Sequence, residues 1–243
     1  VTTVSKWHKE KLSELNNNVQ LIYNGYAPDL FYKNHIATDR FLISYTGRIE
    51  SSDIKDPSLL FEAVYNLWQT NNINPSNLRI QFYLIDENSK KITRYLAQKY
   101  KVENFVDIFD TIESNLVPQV LNNSSILLLL ANEAGQQNSP HGIIGTKVFE
   151  YLAVQKPILC VRNDKSYLEE LLANSNGGLA ASSVTETMAF ILEKYTEWQQ
   201  NGLTGQDVKV EFIQQFSRKY QAQQFVAIFE NLLQNSVRLK TSC

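Results

Sequence analysis

The chain has few of the residues that staple or anchor a protein. Its 243 residues hold two cysteines, Cys160 and Cys243, one methionine and three histidines. Cys160 sits in an apolar run and Cys243 is the last residue, so the pair builds neither a disulfide framework nor a thiolate metal site. A reducing compartment fits that usage. His8, His35 and His141 are scattered, with no cysteine or carboxylate at ligand spacing, so no metal is expected. Positive charge is not in excess: 23 Lys and Arg stand against 25 Asp and Glu. That excludes the global basic footprint of a dedicated nucleic-acid binder, though not a local phosphate site. The longest apolar run, Ile126 to Ala131, is far short of the roughly 20 residues of a membrane span. The start, Val-Thr-Thr-Val-Ser-Lys-Trp, has no apolar signal-peptide core and no initiator Met, which leads us to expect a fragment or a processed product. We find no internal repeat and no low-complexity stretch.

What is present is a rhythm. Hydrophobic residues make up 43% of the chain, enough for a substantial core in one large domain or two small ones. From Phe41 onward, short apolar runs alternate with amphipathic ones. Strands are expected at Phe41–Thr46, Leu78–Ile85, Phe105–Phe109, Ser125–Leu130, Pro157–Val161 and Gly178–Ala180. Helices are expected at Ser58–Gln69, Ser89–Tyr100, Ile112–Leu121, Thr146–Val154, Lys165–Ala173 and Val184–Trp198, then near Val208–Phe216 and Arg218–Leu233. This alternation predicts an α/β fold, a Rossmann-like doubly wound parallel sheet covered on both faces. Ligands of such sheets sit outside the carboxyl ends of the strands, which directs attention to the loops after Thr46, Phe109, Leu130 and Val161. Residues 1–40 stand outside the rhythm. Thr2 to Leu15 suits a helix containing Ser5, Val19–Tyr23 a strand, and Tyr26–Arg40 a connector.

Two loops carry candidate chemistry. The first runs from Gly47 through Arg48 and Lys55 to Pro57 and opens a helix. Gly47 permits a tight turn and close approach, and two cations near a helix N-terminus suit a diphosphate. A solvated surface loop explains the same charges equally well. It is not a P-loop, since no Gly-x4-Gly-Lys-Ser/Thr occurs. The second runs from Asn138 through His141, Gly142 and Gly145 into a helix opening at Thr146. Its free amides and dipole favour an anion. Glu150, a turn inside and flanked by apolar residues, has the reach to bind a vicinal diol; an ordinary solvent-facing glutamate is the alternative. His141 adjoins the loop, either touching a phosphate, serving as an acid or base, or having no role. Glu169 and Glu170 read as solvated helix residues, and the aromatics from Phe212 to Phe229 as packing residues.

Gly145-Thr-Lys-Val-Phe-Glu150-Tyr-Leu-Ala-Val-Gln-Lys-Pro157-Ile resembles the donor-site helix of GT-B glycosyltransferases of the family 4 (group 1) type. Gly47-Arg48 to Lys55 resembles that family's diphosphate segment, Ile22-Tyr-Asn-Gly25 its Asn-Gly hinge turn, and Asn174 to Leu179 its late turn before the last strand. The resemblance covers nearly the whole chain. It implies the C-terminal half of a GT-B fold: 1–40 as the tail of an N-terminal acceptor domain and interdomain connector, 41–217 as the nucleotide-sugar donor domain, and 218–243 as a helix packing back on the domain or on the missing half. Carried over, Gly47, Arg48 and Lys55 would hold the diphosphate, with Arg48 and Lys55 acting catalytically. The backbone amides near Gly145, Thr146 and Lys147 would meet a phosphate, and His141 would sit beside the donor. Glu150 would bind the ribose hydroxyls, and Phe109 to Ile112 would frame the base.

The implied substrates are a nucleoside-diphosphate sugar, UDP- or GDP-linked, and a glycan or lipid-linked acceptor bound through the missing half. The implied reaction transfers a hexose-type sugar with retention, needs no metal or cofactor, and is lost in this chain alone. No nucleic-acid partner is implied. The setting is cytoplasmic, with membrane association open only to a full-length protein. One departure stands out: many members carry a glutamate eight residues before Glu150, and here that position is Gly142. A UDP-sugar 2-epimerase and a non-catalytic nucleotide-binding or interaction module are the rival readings.

Overall fold

In the computed structural model the described residues are 1–51, 55–131 and 144–241, with 235–241 as helix backbone only. The N-terminal stretch forms a small unit in which β1 (Thr2–Thr3) and β2 (Gln20–Leu21) pair in parallel around α1 (Lys6–Ser13). The alternation then follows: β3 (Phe41–Gly47), α2 (Ser58–Gln69), β4 (Leu78–Leu84), α3 (Glu87–Lys99), β5 (Val106–Asp110), α4 (Val117–Asn123) and β6 (Ile126–Leu130). It continues with α5 (Lys147–Val154), β7 (Ile158–Val161), α6 (Tyr167–Ser175), β8 (Gly178–Ala181) and α7 (Val184–Asn201), and closes with α8 (Val210–Ile213) and α9 (Arg218–Thr241).

Strands β3 to β8 form one parallel sheet in the order β5-β4-β3-β6-β7-β8. The chain winds outward from β3 in one direction and from β6 in the other, so the order reverses between those two strands. A crevice belongs there because α2, which follows β3, and α5, which follows β6, pack on opposite faces of the sheet.

Each face has its own core. Side chains alternate across a strand, so Phe41, Ile43 and Tyr45 of β3 and Ile126 and Leu128 of β6 pack against α2 and α7, where Leu60, Phe61, Val64, Ile191 and Tyr195 are buried. Leu127 and Leu129 of β6 point the other way, onto Phe149 and Leu152 of α5 and Leu171 and Leu172 of α6. Leu128 is fully buried, so Leu128→Ala would cost about 2–5 kcal/mol. The connector lies on this second face, with Tyr26 and Phe31 buried in its core. Trp198 Nε1 donates to Thr38 O at 3.0 Å, and His35 Nε2 lies 2.9 Å from Val154 O. The Asn24-Gly25 turn meets the start of α9: Tyr26 N donates to Phe216 O at 3.0 Å and Arg218 N to Tyr26 O at 2.9 Å. A methyl group at Gly25 would strike the Phe216 carbonyl, so the close approach needs glycine.

Several boundaries differ from expectation, each for a local reason. Ser5 is not inside the first helix; it caps α1, accepting a hydrogen bond from His8 N at 3.2 Å. Likewise, α3 begins at Glu87, before the expected Ser89, because Asp86 accepts from Ser89 N at 2.8 Å. The helix expected from Ile112 starts only at Val117, since Pro118 lacks an N–H and belongs in a first turn. Ile112 is therefore in a loop. The helix expected near Val208–Phe216 shortens to α8 and a tight turn over Gln214–Phe216. In α6 the start moves from Lys165 to Tyr167, Lys165 having a φ of +48°.

Beyond its first turn, α9 turns apolar side chains to solvent, with Phe229 and Leu233 59% and 66% exposed. Among the described residues no helix is long and apolar enough to cross a membrane.

Candidate functional site

The site is built on the carboxyl ends of β3 and β6. β3 ends at Gly47, whose φ of +142° suits glycine. In front of it stands the ammonium of Lys147, the first residue of α5, 4.8 Å from the centre of the Tyr45 ring. A methyl group at Gly47 would collide with that ammonium. The Lys147 side chain thus reaches from the β6 side of the crevice to the end of β3. Burial pushes its pKa down to about 8; the charge of Lys55 pushes the same way and Glu150 opposes both. Among the described residues no carboxylate or other acceptor pairs with it.

Lys55 approaches from the β3–α2 loop. It adopts a left-handed φ of +59°, and its ammonium lies 2.8 Å from Glu50 Oε1. That contact holds the Glu50 carboxyl below the usual range. Arg48 turns aside: its Nε donates to Asp86 Oδ2 at 3.0 Å, on the β4 side of the crevice. The start of this loop is tied down. Tyr45 Oη donates to Arg48 O at 2.7 Å, Ile49 is fully buried, and Ser89 Oγ accepts from Ile49 N and donates to Ile49 O. Next to Lys55, Asp56 accepts from Ser58 N at 2.8 Å and from Arg162 Nη2 at 2.6 Å. Arg162 follows β7, so this ion pair fastens the start of α2 to the far side of the crevice.

Glu150 lies one turn into α5 and is half-buried. Burial raises its carboxyl, while Lys147 and Arg218 draw it back. Gly145 and Thr146 are exposed at the head of α5, and the Thr146 side chain makes no capping hydrogen bond. Phe109 stacks on Tyr83 at 5.0 Å at the end of β5, two strands from β3, and Ile112 is half-buried in the turn beyond.

The structure therefore gathers Gly47, Lys55, Lys147, Glu150 and the head of α5 at the order reversal. It sets Arg48 to one side and Phe109 and Ile112 at the outer edge. His141, Asn138, Ser139 and Gly142 lie outside the described residues. Sequence reading missed the Lys147 side chain, having weighed only its amide. One signal was there: a lysine in a helix's first turn opposes the helix dipole. Nothing in the sequence pointed to Tyr45 beneath it or to the Arg162–Asp56 pair. Among the described residues no three His, Cys, Asp or Glu side chains come together as metal ligands.

A parallel α/β sheet whose strand order reverses at its centre places the chain in the Rossmann-like class of domain. The chain belongs to the family described as glycosyl transferases group 1, whose profile matches residues 27–202. No curated protein sequence matches it.

Solved structures share the fold. A glycosyltransferase from Rickettsia africae ESF-5 superposes with a TM-score of 0.67 at 17% identity, covering 97% of this chain and 64% of the other. Anabaena Alr3699/HepE, in complex with UDP and glucose, gives 0.68 at 15% identity, covering 95% and 63%. S. aureus TarM, a mutant in complex with Fondaparinux, alpha-GlcNAc-glycerol and UDP, gives 0.64 at 11%, covering 94% and 43%. The chain thus spans between 43% and 64% of the length of these proteins. Its sheet is the Rossmann-like half of a GT-B fold.

Proposed function

We propose that the chain is the donor half of a retaining glycosyltransferase that uses a UDP- or GDP-hexose. The observation that carries this reading is the meeting of Lys55, the head of α5 and Gly47 at the order reversal of a group 1 family fold. An anion lying there would meet the positive end of the α5 dipole and uncapped backbone N–H groups. Glu150, half-buried and one turn deeper, is placed to accept from two ribose hydroxyls. Its neighbours Lys147 and Arg218 favour the ionised, accepting form. Phe109 and Ile112, at the end of β5, lie on the side where the base would extend.

In the transfer step the bond between the anomeric carbon and the diphosphate oxygen breaks, and the electron pair leaves with the diphosphate. The acceptor oxygen bonds to the anomeric carbon on the same face and passes its proton to the departing diphosphate oxygen. The chain's contribution is fixed positive charge where negative charge grows, the commonest large term in such catalysis. Arg48 joins Lys55 in that role once it swings from Asp86, an exposed and weakly held ion pair. The acceptor, a glycan or a lipid-linked one, would be held by an N-terminal domain, and the exposed apolar side of α9 would pack on that domain. This chain alone then binds nucleotide without turnover. Membership of the group 1 family favours transfer over the epimerase reading.

The test is thermal stability with UDP, GDP, ADP and CMP, on the wild type and on Arg48→Ala and Glu150→Ala. A ligand at a hundred times its Kd adds about 2.7 kcal/mol, a shift of roughly 5–10 °C here. We expect a shift with one nucleoside diphosphate that both variants lose. No shift with any of them at millimolar concentration would contradict the reading.

A further inference from the structure

Among the described residues of the crevice, one cation makes no hydrogen bond or close ion pair. Glu50 takes Lys55 and Asp86 takes Arg48. Among the described residues Lys147 meets only the face of Tyr45 directly; Glu150 attracts it and Lys55 repels it through space, and it stands at the end of a helix whose dipole repels a cation. A half-buried ammonium in that position is a standing cost to the fold unless something negative arrives. The space it occupies is kept open by the missing side chain at Gly47.

We propose that the Lys147 side chain itself is a direct ligand of the donor diphosphate, closing on it from the α5 side as Lys55 does from the β3–α2 loop. The proposal rests on the donor-domain reading above and goes beyond it, since the family resemblance assigns only backbone amides of this region to a phosphate.

The geometry has a consequence for protons. Among the described residues, the groups facing the ammonium are Tyr45 from β3, Lys55 from the β3–α2 loop and Glu150 on α5 itself. Glu50, paired with Lys55, and Arg218 at the start of α9, acting on Glu150, form the layer behind. With no anion bound, burial and Lys55 bring Lys147 down to about 8. A diphosphate in contact favours the charged form and raises that value. Binding then takes up a proton above pH 8: affinity is level between about pH 7, where the terminal phosphate is fully ionised, and pH 8, and falls, by up to tenfold per unit, as pH rises beyond it.

The experiment is calorimetric titration of wild type, Lys147→Met and Lys147→Arg with UDP, GDP, uridine and guanosine, at pH 7 and pH 9 and in two buffers of different ionisation heat. We expect one diphosphate to bind the wild type with proton uptake at pH 9. Lys147→Met should weaken it at least tenfold and abolish the uptake, leaving the nucleoside's own binding unchanged, and Lys147→Arg should stay within a few-fold. If the diphosphate binds the wild type and Lys147→Met equally, the lysine is no ligand, and the donor-domain reading survives. If no diphosphate binds the wild type, both fall. Should Lys147→Met not fold, proton uptake by the wild type decides: its absence while the diphosphate binds overturns the proposal.

Discussion

Two lysines stand at opposite ends of one short helix, and their fates differ. Lys147 opens α5 at the carboxyl edge of the sheet, and Lys156 follows α5 at the amino edge. Burial brings each down to about 8. Lys156 is only 1% exposed, yet it has partners: its ammonium donates to Thr204 O at 3.2 Å, Glu197 attracts it, and it lies at the helix end that favours a cation. Thr204 in turn donates to Ser125 O at 2.6 Å, so Lys156 locks the chain after α7 onto the foot of β6. Lys147 likewise has an attracting glutamate, Glu150, and a repelling lysine, Lys55, as Lys156 has Glu197 and Lys33, but it has an aromatic face in place of a hydrogen-bond acceptor among the described residues, and it stands at the wrong helix end. The amino edge satisfies its cation and is built for stability. At the carboxyl edge the cation has no hydrogen-bond acceptor among the described residues, which is how a site waiting for an anion differs from a strut.

The contrast can be broken most forcefully at the strut. Lys156→Ala leaves the Thr204 carbonyl without its donor and opens a cavity. We expect a loss of about 2–4 kcal/mol, read as the denaturant midpoint, with the nucleotide affinity of the folded fraction unchanged. Lys147→Met should do the reverse. Removing a cation that burial disfavours raises the stability of the nucleotide-free protein by about 1 kcal/mol, a figure discounted for its partial exposure, while diphosphate affinity falls. A drop in melting temperature for that variant would mean that Lys147 is structural after all.

Gly47→Ala places a methyl group where the ammonium sits and forces alanine to a φ of +142°. A loss of about 1–3 kcal/mol is expected, together with weaker diphosphate binding. Both lysines also shape the pH profile. Their folded pKa values lie below the ordinary 10.5, so between pH 8 and about 10 the unfolded chain binds protons that the folded one does not. Through these lysines stability rises with pH in that window, each lysine variant removing part of the slope, while the buried Cys160 thiol, held protonated in the fold, works against the rise above about pH 9. Above about pH 10 the trend reverses, because burial keeps Tyr45 and Tyr151 protonated in the fold. The smallest effect belongs to the exposed Lys6–Glu170 pair at 2.6 Å, where Lys6→Ala should change stability by about 0.5 kcal/mol or less.

Much of this molecule is legible in its sequence. Strands buried on both faces read as unbroken apolar runs, so Ile126–Leu130 and Ile158–Val161 announce themselves, and the spacing of Leu60, Ala63, Val64 and Leu67 gives α2 to the residue. Boundaries failed where a single residue outweighs periodicity: Pro118 delayed α4, and the Asp86 cap advanced α3. The site was legible as loops and residue types, through Gly47, Lys55 and the head of α5. It was not legible as contacts. That Lys147 would lie over Tyr45, and Arg162 would reach Asp56, depends on strands brought side by side across about a hundred residues of chain, which no local pattern encodes. Arg48 read as a partner of Lys55 because the two share a loop; in the fold Asp86 claims it.

The central claim is that the Lys147 ammonium, without an acceptor of its own among the described residues, is there to hold a diphosphate. A crystal structure of this chain with UDP or GDP, whichever shifts its melting, tests it most directly. The account predicts diphosphate oxygens within hydrogen-bond distance of both the Lys147 and Lys55 ammonium groups, at the head of α5 and in front of Gly47. A nucleotide bound elsewhere, or one bound there with Lys147 still lying over Tyr45 and touching no phosphate, would contradict it.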